Sequence, residues 1–348
     1  MRVAGFRNLS WVELSFREPA TLFYGENAQG KTNLLEAICL LGTARSFREK
    51  NGAHLVQEGR ERAAVEGEVA HSGAVHTLRV ELGPDGKSLT RDGRREAVGS
   101  YLPRLPLVVL SAEDRALVKG SQRARRDFLD GAAWMARPAY LSEWSAFQRA
   151  LGQRNRLLRE GSGARRGELD AWTETFCSAA AKVRAARAHA AALSDEALSA
   201  LGESAGFAEA LSLAYRPSGA EDLASELRAR RAEELDRRCT IAGPQRDAVE
   251  IHMDGRPLEV YGSAGQVRAA LWMLKLARVR MLQGAGAEPP LFLLDDAEAE
   301  LDAPRTRALM EMTRGRAQLF MTATRALGPE WGPHDAYRVR AGAVGLTG

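Results

Sequence analysis

Gly25-Glu26-Asn27-Ala28-Gln29-Gly30-Lys31-Thr32 follows a short apolar run, Thr21-Leu22-Phe23-Tyr24. It opens a helical pattern with Leu34, Leu35, Ile38 and Leu41 on one face and Gly42 as a stop signal. Strand, glycine loop and helix together read as a phosphate-binding loop. Glycine lets the backbone N–H groups of residues 25–32 wrap a phosphate chain, Lys31 carries positive charge to the β and γ phosphates, and the Thr32 hydroxyl ligates magnesium. A second segment supplies what the first lacks. Leu291-Phe292-Leu293-Leu294 reads as a buried strand that ends in Asp295-Asp296. Asp295 at the strand end is placed to hold the same magnesium through water, and Asp296 to orient an attacking water. The expected catalytic set is Lys31, Asp295 and Asp296, and the expected metal ligands are Thr32 and Asp295.

The two segments stand near opposite ends of the 348 residues, farther apart than a small GTPase needs, so something is inserted between them. Ahead of the second segment comes Tyr261-Gly262-Ser263-Ala264-Gly265-Gln266-Val267-Arg268, which leads into a strong helix former, Ala269 to Ala277. A serine with glycine and glutamine at the mouth of a helix is again an anion site. The chain's own phosphate site is already complete, so the ligand expected at Ser263, Gly265 and Gln266 is the γ phosphate held by another copy. Glu300-Leu301-Asp302 follows as a turn suited to such a junction, with Asp302 as its acid.

This order of parts resembles the ATP-binding-cassette ATPases, in their structural-maintenance and repair branch, and it narrows to the RecF family. Four regions carry the resemblance. They are Phe6-Arg7-Asn8-Leu9, Gly42 to Arg48, Ser111 to Asp130, and Thr240-Ile241-Ala242-Gly243-Pro244-Gln245-Arg246-Asp247. The chain departs from the family pattern where His, Pro, a second Gln and Ser are usual and Gln245, Ala112, Val267 and Ala299 stand. Gln245 cannot titrate as His would, and Ala299 lacks a hydroxyl that related ATPases place at the dimer junction. The resemblance implies an α/β ATPase head, a phosphate-loop sheet with an antiparallel β subdomain, and an inserted α-helical arm. It also implies ATP and Mg2+ as cofactors, a homodimer formed with ATP, slow hydrolysis, and Arg7 or Asn8 reaching the nucleotide. Single-stranded gaps and duplex junctions in DNA are the implied targets, with RecO and RecR as partners in loading RecA.

Composition agrees with a large folded chain, 45% hydrophobic and able to bury a core. Strand-like runs at 63–69, 75–82, 107–110, 291–294, 318–322 and 337–340, with a turn at Asp92-Gly93, lie outside the middle. From Arg123 to Asp236 the sequence reads as helix, with Trp144, Phe147, Leu151 and Leu158 on one face and Gly161-Ser162-Gly163 as a helix–helix turn. The expected division is head 1–112, helical arm 113–239 and head again 240–348. No window of 18 apolar residues and no leader pattern occurs, so no membrane partner and a cytoplasmic location are expected. Cys39, Cys177 and Cys239 lack metal-site spacing and suit a reducing compartment.

Net charge is a modest +4, but from Lys119 to Arg166 eleven basic residues face four acids. Arg123, Arg125, Arg126, Arg154 and Arg156 are the expected contacts to DNA phosphates, by bidentate guanidinium groups. A solvated helix face in an arginine-biased chain would carry the same cluster. Two rivals stay open. A transporter ATPase subunit shares the nucleotide chemistry but usually carries His after the strand 318–321, where this chain has Thr322-Ala323-Thr324. A nucleotide-responsive DNA scaffold with negligible hydrolysis fits the Ala299 departure.

Overall fold

The computed structural model describes residues 1–17, 19–71, 73–102, 105–160, 166–205, 210–284, 289–300, 310–311, 313, 315, 317–328, 331–332 and 334–347. The chain divides into two compact units, Met1–Asp114 with Arg278–Gly348, and Arg115–Ala277.

The first unit opens with a hairpin, β1 (Arg2–Phe6) and β2 (Leu9–Glu13), followed by β3 (Ala20–Tyr24) and α1 (Lys31–Thr43). Strands β4 (Ala63–His71), β5 (Ala74–Gly83), β6 (Gly86–Arg91) and β7 (Arg94–Arg95) come next, then α2 (Val98–Tyr101) and β8 (Leu107–Leu110). The second unit holds α3 (Arg115–Lys119), α4 (Gln122–Ala136), α5 (Tyr140–Glu160), α6 (Arg166–Ala205), β9 (Leu211–Arg216), α7 (Leu223–Ala229) and α8 (Arg231–Arg237). It continues with β10 (Ala248–Met253), β11 (Arg256–Pro257), α9 (Leu258–Tyr261) and the start of α10 (Ala264–Gly284). Back in the first unit are β12 (Leu291–Leu294), α11 (Ala297–Glu300), β13 (Gln318–Ala323), β14 (Asp335–Arg340) and β15 (Ala343–Leu346).

The first unit is built from two sheets. One is antiparallel, in the order β2-β1-β4-β5-β6-β7, and the other runs β15-β14-β3-β13-β12-β8. In the latter, β8, β12, β13, β3 and β14 are parallel and β15 closes one edge antiparallel. All four residues of β12 are buried, as are five of the six in β13, which is why these strands read as continuous apolar runs rather than alternating ones. Leu34, Leu35, Ile38 and Leu41 of α1 share one core with Val3 and Val65 of the antiparallel sheet and with Phe23, Leu293 and Phe320 of the parallel one. That packing fixes α1, and the loop before it, to the ends of β3 and β12.

The expected stop at Gly42 is one residue early. Helix α1 runs through Gly42 to Thr43 and ends on Ala44 in the left-handed region, whose N–H donates to the carbonyl of Leu40. Glycine is required inside the helix for space, since a Cβ at residue 42 would lie 2.4 Å from a methyl of Leu107.

In the second unit α4, α5 and α6 pack on one another, and a small antiparallel sheet, β11-β10-β9, lies beside them. Strand β9 interrupts the expected all-helical middle. Leu211 and Leu213 alternate inward as a strand requires, and Leu213 pairs with Ile251. This pairing also holds the segment after Thr240 with the helical unit, so the return to the head comes at Arg278 rather than at 240. Gly161-Ser162-Gly163 lies outside the described residues.

Candidate functional site

The loop between β3 and α1 bends through two glycines that no other residue replaces without strain, Gly25 at φ +151° and Gly30 at φ +112°. A Cβ at Gly30 would lie 2.7 Å from the Asn8 side chain, which packs where that Cβ would be. Asn8 donates through Nδ2 to the Gln29 carbonyl at 3.1 Å and accepts from Asn33 at 2.8 Å. From the other side the β14–β15 turn clamps Gln29: the Ala341 N–H donates to its Oε1 at 2.6 Å and the Gly342 N–H to its carbonyl at 2.9 Å. The loop is therefore held in a fixed arc. Glu26, Asn27 and Ala28 form its exposed crest, with Ala28 in the left-handed region at φ 62°.

Helix α1 begins at Lys31 with no side-chain cap on its first turn, so its N-terminal N–H groups point into the arc. Lys31 is buried, and its ammonium donates to the carbonyls of Gly25 and Glu26, both at 2.7 Å. Burial pulls its pKa below the usual lysine range, opposed by the carboxylates of Asp296, Asp295 and Glu298. The charge thus stays inside the loop, where a phosphate chain would lie.

Thr32 donates its hydroxyl to Asp295, 2.9 Å from Oδ1 and 3.2 Å from Oδ2. Asp295 also accepts from the Thr322 hydroxyl at 2.7 Å, and its N–H donates to the Leu110 carbonyl at 2.9 Å. Burial pushes the Asp295 pKa up, opposed by the hydroxyls of Thr322 and Thr32 and by Arg48. A hydroxyl and a carboxylate converging at the mouth of a phosphate loop are hard oxygen donors suited to Mg2+. Asp296, next along, is exposed in the left-handed region at φ 57°, and its N–H donates to the Thr322 hydroxyl at 2.7 Å. Thr322 thereby sets both acids. Sequence reasoning misses it, although a threonine closing the otherwise apolar run Leu319-Phe320-Met321 is the available signal. Also unforeseen is Glu298, which accepts from the N–H and hydroxyl of Thr324 and, at 2.8 Å, from Arg325.

Arg7 is corrected as a nucleotide contact. Its guanidinium is bidentate on the fully buried Glu36 of α1, at 3.0 and 2.9 Å, and donates to the His54 carbonyl at 3.2 Å. Ser46 donates to the same Glu36 carboxylate. The family-like stretches 6–9 and 42–48 thus meet at one buried carboxylate that braces the loop helix.

In the second unit Ser263 and Gln266 form a capping box at the start of α10. The Gln266 N–H donates to the Ser263 hydroxyl at 3.2 Å, and the Ser263 N–H to Gln266 Oε1 at 3.0 Å. Gly265 lies between them, exposed. Asp302 lies outside the described residues, as does the side chain of Ala299.

Two of the five arginines expected on DNA are also corrected. Arg154 is 2% exposed and bidentate on the buried Glu234, at 2.8 and 2.5 Å, with Thr173 and Thr240 completing its hydrogen bonds. Arg125 is 3% exposed and binds Glu259 and two backbone carbonyls. Their helices turn these positions inward, where a guanidinium is stable only with partners. Arg126 is half-buried and donates to the Asp247 carbonyl at 2.8 Å. Arg123 and Arg156 are exposed, each 3.9 Å from an acid one helical turn away. The regions 111–130 and 240–247 meet through Arg187, which binds Asp130 at 2.6 and 3.0 Å, the Pro244 carbonyl at 2.6 Å and Asp247 at 3.4 Å.

Among the described residues no helix is long and apolar enough to cross a membrane. Comparison with known proteins matches residues 1–120 to a family model described as an AAA domain. The chain is 37% identical over 366 residues to a DNA replication and repair protein RecF of Anaeromyxobacter dehalogenans (strain 2CP-1 / ATCC BAA-258), covering 99% of this chain and 97% of that one. A solved structure of the recombination mediator protein RecF-ATPrS in the RecFOR pathway superposes with a TM-score of 0.90 at 29% identity, over 100% of this chain and 97% of that one. An Smc head domain with an extended coiled coil, derived from Pyrococcus furiosus and bound to the C-terminal domain of ScpA, has a TM-score of 0.56 at 16% identity. It covers 99% of this chain and 94% of that one and shares the fold.

Proposed function

We propose, from the premise that this chain belongs to the RecF family of DNA replication and repair proteins, that it is an ATP-operated DNA-binding switch. The observation that carries this is the Thr32–Asp295 hydrogen bond, which joins the phosphate loop to the acid at the end of β12. Lys31 and the first-turn N–H groups of α1 bind the phosphate chain, and Asn8, Gln29 and the Ala341-Gly342 turn keep the loop from reorganising. Thr32 and Asp295 would hold Mg2+, which would neutralise charge on the phosphate chain. Asp296 orients the attacking water, and hydrolysis is slow.

Ser263, Gly265 and Gln266 of one copy engage the γ phosphate held by a second copy, so ATP joins two copies and its hydrolysis releases them. Exposed Arg123 and Arg156 contribute phosphate contacts on the helical unit, and binding depends on DNA shape and salt rather than on base sequence. Single-stranded gaps and duplex junctions are the DNA targets. RecO and RecR are the partners in loading RecA, a reading supported by the relative solved in the RecFOR pathway. The test is binding to gapped duplex with a slowly hydrolysed ATP analogue, with ADP and with no nucleotide, each with magnesium. Tighter binding with the analogue alone supports the switch, whereas equal binding in all three favours a nucleotide-indifferent scaffold.

A further inference from the structure

We propose that Lys119 and the Arg125–Glu259 ion pair are positioning residues for the Ser263 loop, so that α3 and α4 of the helical unit set where that serine stands. The proposal rests on the reading that Ser263 of one copy engages the nucleotide of another.

The Lys119 ammonium donates to three carbonyls, Leu258 at 3.2 Å, Glu259 at 2.9 Å and Gly262 at 3.0 Å. An ammonium has three N–H donors, and all three are committed to the backbone that leads into Ser263. Arg125 reinforces the same segment. Its Nη1 donates to the Val118 carbonyl at 3.1 Å and the Gly120 carbonyl at 3.4 Å, while Nη2 donates to Glu259 at 2.8 Å. The segment from 258 to 262 is thus tied to the α3–α4 turn by side chains reaching across about 140 positions of sequence.

On its N-terminal side the segment continues from β11, which pairs with β10. Helix α9 is a single turn in which only Leu258 is buried, and Val260 and Tyr261 are 68% and 66% exposed. A turn of that length is not stable by itself in water. Beyond it, the capping box fixes Ser263 to α10. Ser263 therefore stands between two anchors, α10 on one side and the Lys119 clamp on the other. The clamp links the serine to α4, the helix that carries exposed Arg123. Lys119 and Arg125 belong to a basic stretch that suggests DNA contact by sequence, yet the Lys119 ammonium and both terminal nitrogens of Arg125 are bonded within the protein.

The experiment uses the full chain with magnesium and a slowly hydrolysed ATP analogue. Four proteins are compared, wild type, Lys119→Met, Lys119→Arg and Ser263→Ala, by sedimentation for dimerisation, by fluorescent-analogue binding to dilute monomer, and by thermal unfolding. Loss of charge-assisted hydrogen bonds to the loop should weaken analogue-driven dimerisation of Lys119→Met by about tenfold or more. Monomer affinity for the analogue and the unfolding midpoint should match wild type. Lys119→Arg should restore part of the dimerisation, since a guanidinium also donates to carbonyls though in a different geometry.

Wild-type dimerisation by Lys119→Met, with dimerisation lost in Ser263→Ala, overturns the clamp and leaves the serine's role standing. Wild-type dimerisation by Ser263→Ala overturns that role and the clamp with it. If Lys119→Met fails to fold, Glu259→Gln on the half-exposed partner tests the same link, and unchanged dimerisation there counts against it.

Discussion

The hydroxyl of Thr32, in the first turn of α1, donates to both carboxylate oxygens of Asp295, at 2.9 and 3.2 Å, from 263 positions away. Strand β13 lies between β3 and β12 and presents Thr322 to the same carboxylate. The two ends of the chain therefore assemble one oxygen-lined pair, and donors held in place in this way lower the ordering cost of binding.

Thr322→Val removes the hydroxyl that fixes Asp295 and accepts from the Asp296 N–H. Removing such an outer partner typically costs about 10–100-fold in metal affinity, and that loss is expected for magnesium in the presence of nucleotide. The freed polar groups should also lower stability by about 1–3 kcal/mol. Isothermal titration and chemical denaturation check the two effects, and unchanged magnesium affinity would remove Thr322 from the site.

The raised pKa of Asp295 gives magnesium binding a pH dependence. A carboxylic acid whose folded pKa lies above its unfolded value adds stability below the unfolded pKa, and this is lost as pH rises through the folded pKa. Metal binding needs the ionised form and runs the other way. Magnesium affinity should therefore fall on acidification toward the raised Asp295 pKa, with proton release on binding in that window. Titrations in buffers of different ionisation enthalpy count those protons, and Asp295→Asn should abolish the effect.

Glu234→Leu leaves Arg154 buried without its carboxylate. Breaking a buried pair from one side costs about 3–5 kcal/mol, so a large drop in unfolding free energy is expected. The salt dependence of DNA binding, measured at a temperature where the variant is folded, should match wild type. A flattened salt slope would return Arg154 to the DNA contacts.

Charge reversal at Arg123 and Arg156 acts on exposed residues. Abolishing a single arginine–phosphate interaction should reduce the salt slope of DNA binding by about one, with affinity falling evenly across sequences. Filter binding over a salt series reads this directly, and an unchanged slope would make those arginines an ordinary solvated face.

The chemistry of the head was legible because its parts are local: strand, glycine loop and helix over 21–41, and an apolar run ending in two acids. Residues whose roles depend on tertiary approach were not. Nothing local to Arg7 announces Glu36, and Arg125 and Arg154 follow the same basic spacing as Arg123 and Arg156 while helix rotation turns them inward. Strand β9 is hard to see in sequence because its partner β10 lies beyond two helices. Thr322 follows an apolar run in β13, and its hydrogen bonds depend on two strands placed side by side.

Sedimentation of the full chain with magnesium tests the switch most directly, with no nucleotide, ADP, or a slowly hydrolysed ATP analogue, each with and without gapped DNA. A monomer without nucleotide and with ADP is expected, with a dimer forming only with the analogue and tightened by DNA. Lys31→Ala is expected to stay monomeric throughout. A wild-type monomer in every condition, or an analogue-driven dimer of Lys31→Ala, would contradict the ATP-joined dimer.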